Sequence, residues 1–204
     1  YSIFVQARTS SSRSPGKVLE DIIGKPMLLR QLERLKNGNQ NINIVCVTST
    51  DSQDDPIEEI CKKNKFSCFR GSLNNVLDRY IAASDLYLTD YVIRIGGDDP
   101  LVDVNQVSIL INKHKETRAD FIYTSHRNGW PLGCVAELIS VEALKDIANK
   151  TKDPIYLEHI IPWFHKYSSD YKCLAIDSPS NLRRPDYYFT VDYPEDLELI
   201  KTIF

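Results

Sequence analysis

Ser2-Ile-Phe-Val-Gln6 runs straight into Ala7-Arg-Thr-Ser-Ser-Ser-Arg-Ser-Pro-Gly-Lys17, and this junction decides how the chain is read. A short apolar run that stops at small and hydroxylated residues is a buried β-strand emptying into a loop. Small residues there let backbone N–H groups face an anion, and Arg8, Arg13 and Lys17 supply the charge that a polyphosphate would neutralise. The plainer reading of the same letters is a solvated basic loop after an edge strand. The rest of the chain weighs between the two.

With 204 residues, of which 42 % are hydrophobic, the chain is long enough to bury a substantial core and has the size of one domain. Its net charge of −3 argues against a general nucleic-acid or anionic-membrane surface, so an anion would be bound by a few placed cations. Cys46, Cys61, Cys68, Cys134 and Cys173 are odd in number, sit mostly in apolar or strand-like stretches, and show neither a CxxC nor a His-paired zinc spacing. They read as reduced core thiols of a cytoplasmic protein. No signal peptide, transmembrane run or low-complexity tract is visible. The chain begins without Met and stops at Phe204 in a helical pattern, which fits a domain trimmed from a longer protein and a chain lacking its tails equally.

Short apolar runs alternate with longer amphipathic segments, the pattern of an α/β protein with a largely parallel central sheet flanked by helices. Strands are predicted over residues 2–6, 43–48, 91–95, 121–123, 135–139, 171–176 and 187–191, and helices over 27–36, 56–63, 75–86, 104–114, 141–148 and 194–203. The last helix opens on Pro194 followed by Glu195 and Asp196, a good helix start. Ligands of open α/β sheets sit beyond the carboxyl ends of the parallel strands. The basic loop follows the first strand there, Thr48-Ser-Thr-Asp51 the second, Gly96-Gly-Asp-Asp99 the 91–95 strand, and Asp192 the last. Residues far apart in sequence are thus expected to converge on one cleft.

The string from Gln6 to Lys17, QARxxSxRxPGK, resembles the signature loop of the cytidylyltransferases, in particular the spore-coat polysaccharide biosynthesis protein F group and, more distantly, the CMP-3-deoxy-manno-octulosonate synthetases. The likeness continues in collinear order through Gly24-Lys-Pro-Met27, Asp54-Asp-Pro56, Arg70-Gly-Ser72, Val76-Leu-Asp-Arg-Tyr80, Arg94-Ile-Gly-Gly-Asp98, Pro100-Leu101 and Val191-Asp-Tyr-Pro-Glu-Asp-Leu197. Three positions depart from the pattern: Ser10 stands where Gly is expected, Ser14 where an apolar residue is, and Asp99 where Cys or Glu is. Ser10 narrows the backbone angles available beside a phosphate.

The resemblance implies a Rossmann-like nucleotide-diphospho-sugar transferase fold over 1–204, with a small dimerisation lobe, and a homodimeric nucleotidyltransferase. Such an enzyme moves CMP from CTP, with Mg²⁺, onto an acidic sugar, a sugar or polyol phosphate, or a phosphonate. Asp98 and Asp192, each after an apolar run, are the expected metal carboxylates; for Asp192 a helix N-cap is the competing reading. Lys17 is expected on the β- and γ-phosphates, with Arg8 holding phosphate oxygens as pyrophosphate leaves. Backbone N–H groups near Ala7 and from Ser10 and Ser11 to Ser12 would complete the cradle. Arg13 fits a phosphate contact or a surface ion pair equally. Gly71 and Ser72 are expected near the base, where a backbone carbonyl could tell cytosine from uracil, while Arg79 fits a structural role or a nucleotide contact. Acceptor candidates are Glu137, Glu158 and Arg183. His126 and His159 read better as loop or surface residues than as catalysts.

Two readings from other classes stay open. One is a glycosyltransferase using a nucleotide sugar, which would release no pyrophosphate. The other is a non-catalytic nucleotide-binding or scaffold domain, favoured by Ser10 and Ser14.

Overall fold

Ile3, Phe4 and Val5 are fully buried, so β1 (Ser2–Gln6) has apolar neighbours on both faces and belongs inside a sheet covered by helices. The computed structural model of the chain describes residues 1–11 and 13–204 and has that arrangement. After β1, the short strands β2 (Asp21–Ile22) and β3 (Lys25–Pro26) form an antiparallel hairpin. Next come α1 (Met27–Gly38), β4 (Asn43–Ser49), α2 (Asp55–Lys63), β5 (Ser67–Gly71), α3 (Val76–Leu86), β6 (Tyr91–Gly96) and α4 (Asn105–Thr117). The second half holds β7 (Phe121–Tyr123), β8 (Glu137–Ser140), α5 (Val141–Lys150), α6 (Pro154–Glu158), α7 (Ile161–Lys166), β9 (Cys173–Ala175) and α8 (Pro194–Ile203).

Seven strands form one sheet in the order β5-β4-β1-β6-β8-β7-β9. All neighbours are parallel except β8, which runs antiparallel to both β6 and β7. Period-two alternation along the central strands divides the core. Ile3 and Val5 pack with Leu28 and Leu32 of α1, Ile57 of α2, Leu110 of α4 and Ile200 of α8. Phe4, Val45 and Val47 pack on the other face with Leu77 and Tyr80 of α3, Leu144 of α5 and Phe164 of α7. The result is a three-layer α/β/α sandwich.

The chain moves from β1 outward to β4 and β5, then crosses to β6 on the other side of β1. That reversal opens a crevice at the carboxyl ends of β1, β4 and β6. Its floor is tight. The Gly97 N–H donates to the Gln6 carbonyl at 2.8 Å, and a Cβ at Gly97 would lie 2.8 Å from that oxygen and 2.9 Å from the Ala7 Cβ. Only glycine lets the loop after β6 come this close to β1.

Helix α8 and strand β7 have the bounds read from sequence, and the other long helices differ by one to three residues at an end. The strand expected over 187–191 is a correction. That segment makes a single parallel bridge, Leu132 to Tyr188, in which the Leu132 N–H donates to the Tyr187 carbonyl and the Leu132 carbonyl accepts from the Phe189 N–H. It cannot join the sheet beside β6, because β6 is already paired with β1 and β8. β8 starts at Glu137 instead of residue 135, and β9 is confined to Cys173–Ala175. β5 was absent from the sequence reading because it is a half-buried edge strand with little apolar contrast. The pair α6 and α7 was absent too, since Pro154 and Pro162 break the helical period; each sits in a first turn, where proline is tolerated.

Candidate active site

The basic loop is shaped by a buried carboxylate behind it. Asp54 is 1 % exposed; its Oδ1 accepts from the Thr9 N–H at 2.7 Å and the Thr9 hydroxyl at 2.8 Å, and its Oδ2 accepts from the Ser49 hydroxyl at 2.5 Å. Burial pushes the Asp54 carboxyl up, but these donors from Ser49 and Thr9 outweigh it and hold its pKa below the ordinary value. The Thr9 carbonyl in turn accepts from Ser11 N–H at 2.9 Å and Gly16 N–H at 2.8 Å, closing the loop on itself. Gly16 takes φ +75°, a left-handed turn that swings Lys17 inward to start a 3₁₀ turn over Lys17–Leu19. No residue at position 10 needs that freedom: among the described residues the non-glycine positive-φ positions are Ile23, Lys65, Leu88 and Arg118, so Ser10 sits there without left-handed strain.

Two amides expected in the cradle have partners within the protein. The Ala7 N–H donates to the Val47 carbonyl at 3.2 Å, and the Ser11 N–H to Thr9. Both amides are engaged in this structure, that of Ala7 holding the loop to the sheet and that of Ser11 holding the loop to itself. Ser10 is exposed, and Ser12 lies outside the described residues.

Lys17 is only 5 % exposed. Its Nζ donates to Asp98 Oδ2 at 2.7 Å, to the Val191 carbonyl at 2.6 Å and to Asp192 Oδ1 at 3.2 Å, so all three ammonium donors have acceptors. Asp192 also receives the Arg13 guanidinium at 2.7 Å and the Tyr188 hydroxyl at 2.5 Å. Burial pushes Asp192 up, yet the Tyr188 hydroxyl, Lys17 and Arg13 together hold its pKa below the usual carboxylate range. Asp192 does not cap α8. The N-cap position is Tyr193, and Asp196 in the first turn is the N3 member of a capping box, its Oδ2 accepting from the Asp192 and Tyr193 N–H groups at 2.9 and 2.8 Å. The two competing readings of Asp192 are thereby separated: its side chain points at the basic loop and leaves the helix end to its neighbour.

Asp98 and Asp99 have different surroundings. Asp98 holds Lys17 in the cleft, whereas Asp99 turns inward and accepts from the Thr190 hydroxyl at 2.7 Å. Burial and the adjacent Asp98 charge push the Asp99 carboxyl up to about 8. Its carbonyl and that of Gly96 accept from the buried Gln31 amide at 2.9 and 2.7 Å, which pins the Gly96–Asp99 turn to α1.

Further along the cleft, Arg8 pairs with Glu158 at 3.0 Å, and Arg94 pairs with Glu137 at 3.1 Å. Glu137 lies directly opposite Arg94 in the β6–β8 register. Burial lowers the Arg94 pKa, and Glu137 more than reverses that, so the guanidinium stays charged. Gln6 Oε1 accepts from Arg94 at 3.3 Å and from the Tyr80 hydroxyl at 3.2 Å. A cavity of about 360 Å³ is lined by Gln6, Arg8, Ser11, Arg13, Lys17, Arg94, Gly96, Asp98 and His159. A smaller one of about 160 Å³ shares Gln6, Arg94 and His159 with it and adds Val76, Glu158 and Ile160. Four cations, Arg8, Arg13, Lys17 and Arg94, line this space and each is paired with at least one carboxylate, so a polyanion that enters must take cations away from carboxylates.

Not every candidate reaches it. Arg79 is buried and donates to the Ser72 carbonyl from Nε at 3.0 Å and to the Leu73 carbonyl at 3.1 Å; it braces the loop after β5 and lines neither cavity. Gly71 lies against it, since a Cβ there would meet Arg79 Cγ at 2.8 Å. The carbonyls of this region already accept, that of Gly71 from Thr50 N–H and those of Ser49 and Asp51 from Arg70. Arg183 is exposed beside Gly129 and lines neither cavity. His126 is exposed in a 3₁₀ turn. His159, which the sequence placed on the surface, is exposed but faces both cavities, because α6 ends at Glu158 and delivers it there. Gln6, Asp54 and Arg94 fall within the quoted motifs but carry no role there, and Tyr188 has no signal in the sequence. Arg94 had a signal: a lone charge inside Tyr-Val-Ile-Arg-Ile must find a buried partner.

A cleft at the switch point of a mostly parallel sheet, closed by a basic loop and two rim aspartates, defines a nucleotide-handling α/β transferase of Rossmann-like type. The family model described as cytidylyltransferase matches residues 2–203, and the chain belongs to that family. It is 31 % identical over 205 residues to the spore coat polysaccharide biosynthesis protein SpsF of Bacillus subtilis, covering 98 % of this chain and 84 % of that one. It is 27 % identical to the 3-deoxy-manno-octulosonate cytidylyltransferase of Polynucleobacter necessarius over 86 % of this chain and 68 % of the other. Among solved structures, a cytidylyltransferase from Leptospira borgpetersenii matches with TM-score 0.92 and 30 % identity, over 100 % of this chain and 87 % of that one. A CMP:2-keto-3-deoxy-manno-octonic acid synthetase complexed with CTP shares the fold at TM-score 0.74 and 16 % identity, over 99 % and 97 % of the two chains. No helix of the described residues is long and apolar enough to cross a membrane.

Proposed function

We propose that this cytidylyltransferase moves CMP from CTP onto a small acceptor bearing an acidic group and releases pyrophosphate. The observation that carries the reading is the convergence of Arg13, Lys17, Asp98 and Asp192 from three distant segments on one face of the cleft. An acceptor oxygen forms a bond to the α-phosphorus in line with the breaking bond to the bridging oxygen, and pyrophosphate leaves with that electron pair. Lys17 and Arg13 meet the negative charge that grows on the leaving group, and Arg8 takes phosphate oxygens through its planar guanidinium.

The rim carboxylates fit Mg²⁺. When Arg13 and Lys17 turn to a triphosphate, Asp98 and Asp192 are left converging without their cation, and two carboxylates with phosphate oxygens are the donor set this ion prefers. Bound there, Mg²⁺ would supply neutralisation of the triphosphate charge. The acceptor is placed in the adjoining space, where Arg8, Arg94 and His159 offer donors to a carboxylate, phosphate or phosphonate, and Glu137 and Glu158 accept from hydroxyls. Arg183 has no part in that space. The reading includes a homodimeric, cytoplasmic enzyme.

Pyrophosphate release measured with each of the four nucleoside triphosphates, with Mg²⁺, against sugar acids, polyol phosphates and phosphonates tests it. The expected result is turnover with CTP and at least one acidic acceptor. Turnover with a nucleotide sugar and no pyrophosphate would replace it with glycosyl transfer, and CTP binding without turnover on any acceptor would replace it with a sensing role.

A further inference from the structure

Away from the cleft, three of the five cysteines meet. Cys46 on β4 and Cys68 on β5 are register partners across a parallel pair and therefore project to the same face of the sheet. Cys61, in the last turn of α2, comes down on them from that face, and the three sulfur atoms lie within 4.8 Å of one another. Their sequence separations of 15 and 7 match no ligand spacing, so nothing in the sequence announces the cluster. The two remaining thiols each have a carbonyl acceptor: Cys134 on Leu101 at 3.4 Å and Cys173 on Phe164 at 4.0 Å. Among the described residues, the clustered three have only one another.

We propose that Cys46, Cys61 and Cys68 form a trithiolate site for a soft divalent cation of the zinc class. Three thiolates are the ligands such an ion selects over oxygen donors. Zinc–sulfur bonds of about 2.3 Å in tetrahedral geometry separate the sulfurs by about 3.8 Å, so the trio closes by at most about 1 Å, within the reach of side-chain torsions. Cys46 and Cys61 are fully buried, while Cys68 is half-buried, so an ion would enter from the Cys68 side, where water could fill the fourth position. Glu58, one turn before Cys61, adds negative potential at Cys61 and Cys68. Binding would tie α2 to β4 and β5, the same three elements that Arg70 joins through Asp55, Glu58 and the Ser49 carbonyl.

The test uses the full chain, reduced and metal-free, titrated with Zn²⁺ against a chromophoric chelator and with Cd²⁺ by its sulfur-to-metal charge-transfer band. One equivalent per chain and a raised melting temperature are expected. Cys68→Ser should weaken uptake roughly a hundred-fold, while the Cys134→Ser/Cys173→Ser double variant should bind as the parent does. X-ray absorption on the zinc-loaded parent protein, which does not depend on a variant folding, should count three sulfurs. No tight equivalent, a first shell with fewer than three sulfurs, or uptake that Cys68→Ser leaves intact would overturn the assignment. So would mass spectrometry showing two of the three thiols joined as a disulfide in protein kept under reductant.

Discussion

Replacing Lys17 by Met keeps the length of the side chain and removes the ammonium that joins Asp98, Asp192 and the Val191 carbonyl. Breaking a buried ion pair on one side costs about 3–5 kcal/mol, because the other charge is left buried without compensation. Asp192, with its side chain 5 % exposed, keeps Arg13 and Tyr188, and Asp98, at 32 %, reaches water. The cost should therefore fall at the low end, about 3 kcal/mol. For a chain of this size each kcal/mol lowers the melting temperature by about 2–4 °C, so a fall of about 6–12 °C is expected. A thermal melt with and without Mg²⁺ adds a second readout. The variant should recover more stability from the ion than the parent protein does, since its two carboxylates have lost the cation that competes for them. Pyrophosphate release below saturating CTP should drop by about 10²–10³, the usual effect of removing a donor aimed at developing charge. An unchanged melting temperature, no extra gain from Mg²⁺ and an unchanged rate would refute the reasoning together. An intact rate alone would leave Lys17 a structural brace and remove it from the phosphate site.

Arg13→Ala should impair turnover less than Lys17→Met, because Arg13 is half exposed where Lys17 is enclosed; steady-state comparison of the two at equal CTP checks the order. Asp196→Ala should lower the melting temperature with little change in rate, by about 1 kcal/mol for a lost helix cap, whereas Asp192→Asn should chiefly lower the rate. The Asp54 carboxyl is held below its ordinary pKa in the folded protein, so it stabilises above the unfolded value of about 3.9 and loses that contribution as pH falls through the folded one. Melting temperatures of the parent and Asp54→Asn should accordingly differ most near neutrality and converge in acid; a gap that widens on acidification would reverse the sign. Gly97→Ala forces a Cβ against the Gln6 carbonyl and the Ala7 Cβ and should destabilise the protein and depress turnover, read by a melt and by pyrophosphate release.

The local letters determined a good deal. Runs such as Ser-Ile-Phe-Val and Asn-Ile-Val-Cys-Val, buried on both faces, can only be inner strands of a covered sheet, and amphipathic spacing set α1, α2, α3 and α8 close to their observed bounds. The order of strands and loops also put the basic loop and Asp98 at strand carboxyl ends, because that placement follows from chain direction alone. Partnership was not legible, since a side chain's partner is fixed by how distant elements pack and carries no local signature. For Asp192 a helix cap competes with the expected metal role on local sequence alone, and only the fold shows that Asp196 supplies the carboxylate at that helix start. Arg79 read equally as a nucleotide contact until its guanidinium was found on the Ser72 and Leu73 carbonyls. Segment 187–191 has the alternation of a strand, yet both edges of β6 were already filled. Three cysteines with no spacing pattern became neighbours only because two strands align in register and one helix crosses them. Period and composition act over a few residues and so fix what each segment is; the pairing of these charges and thiols acts across 7 to 175 positions, and only the closed packing of the sandwich decides it.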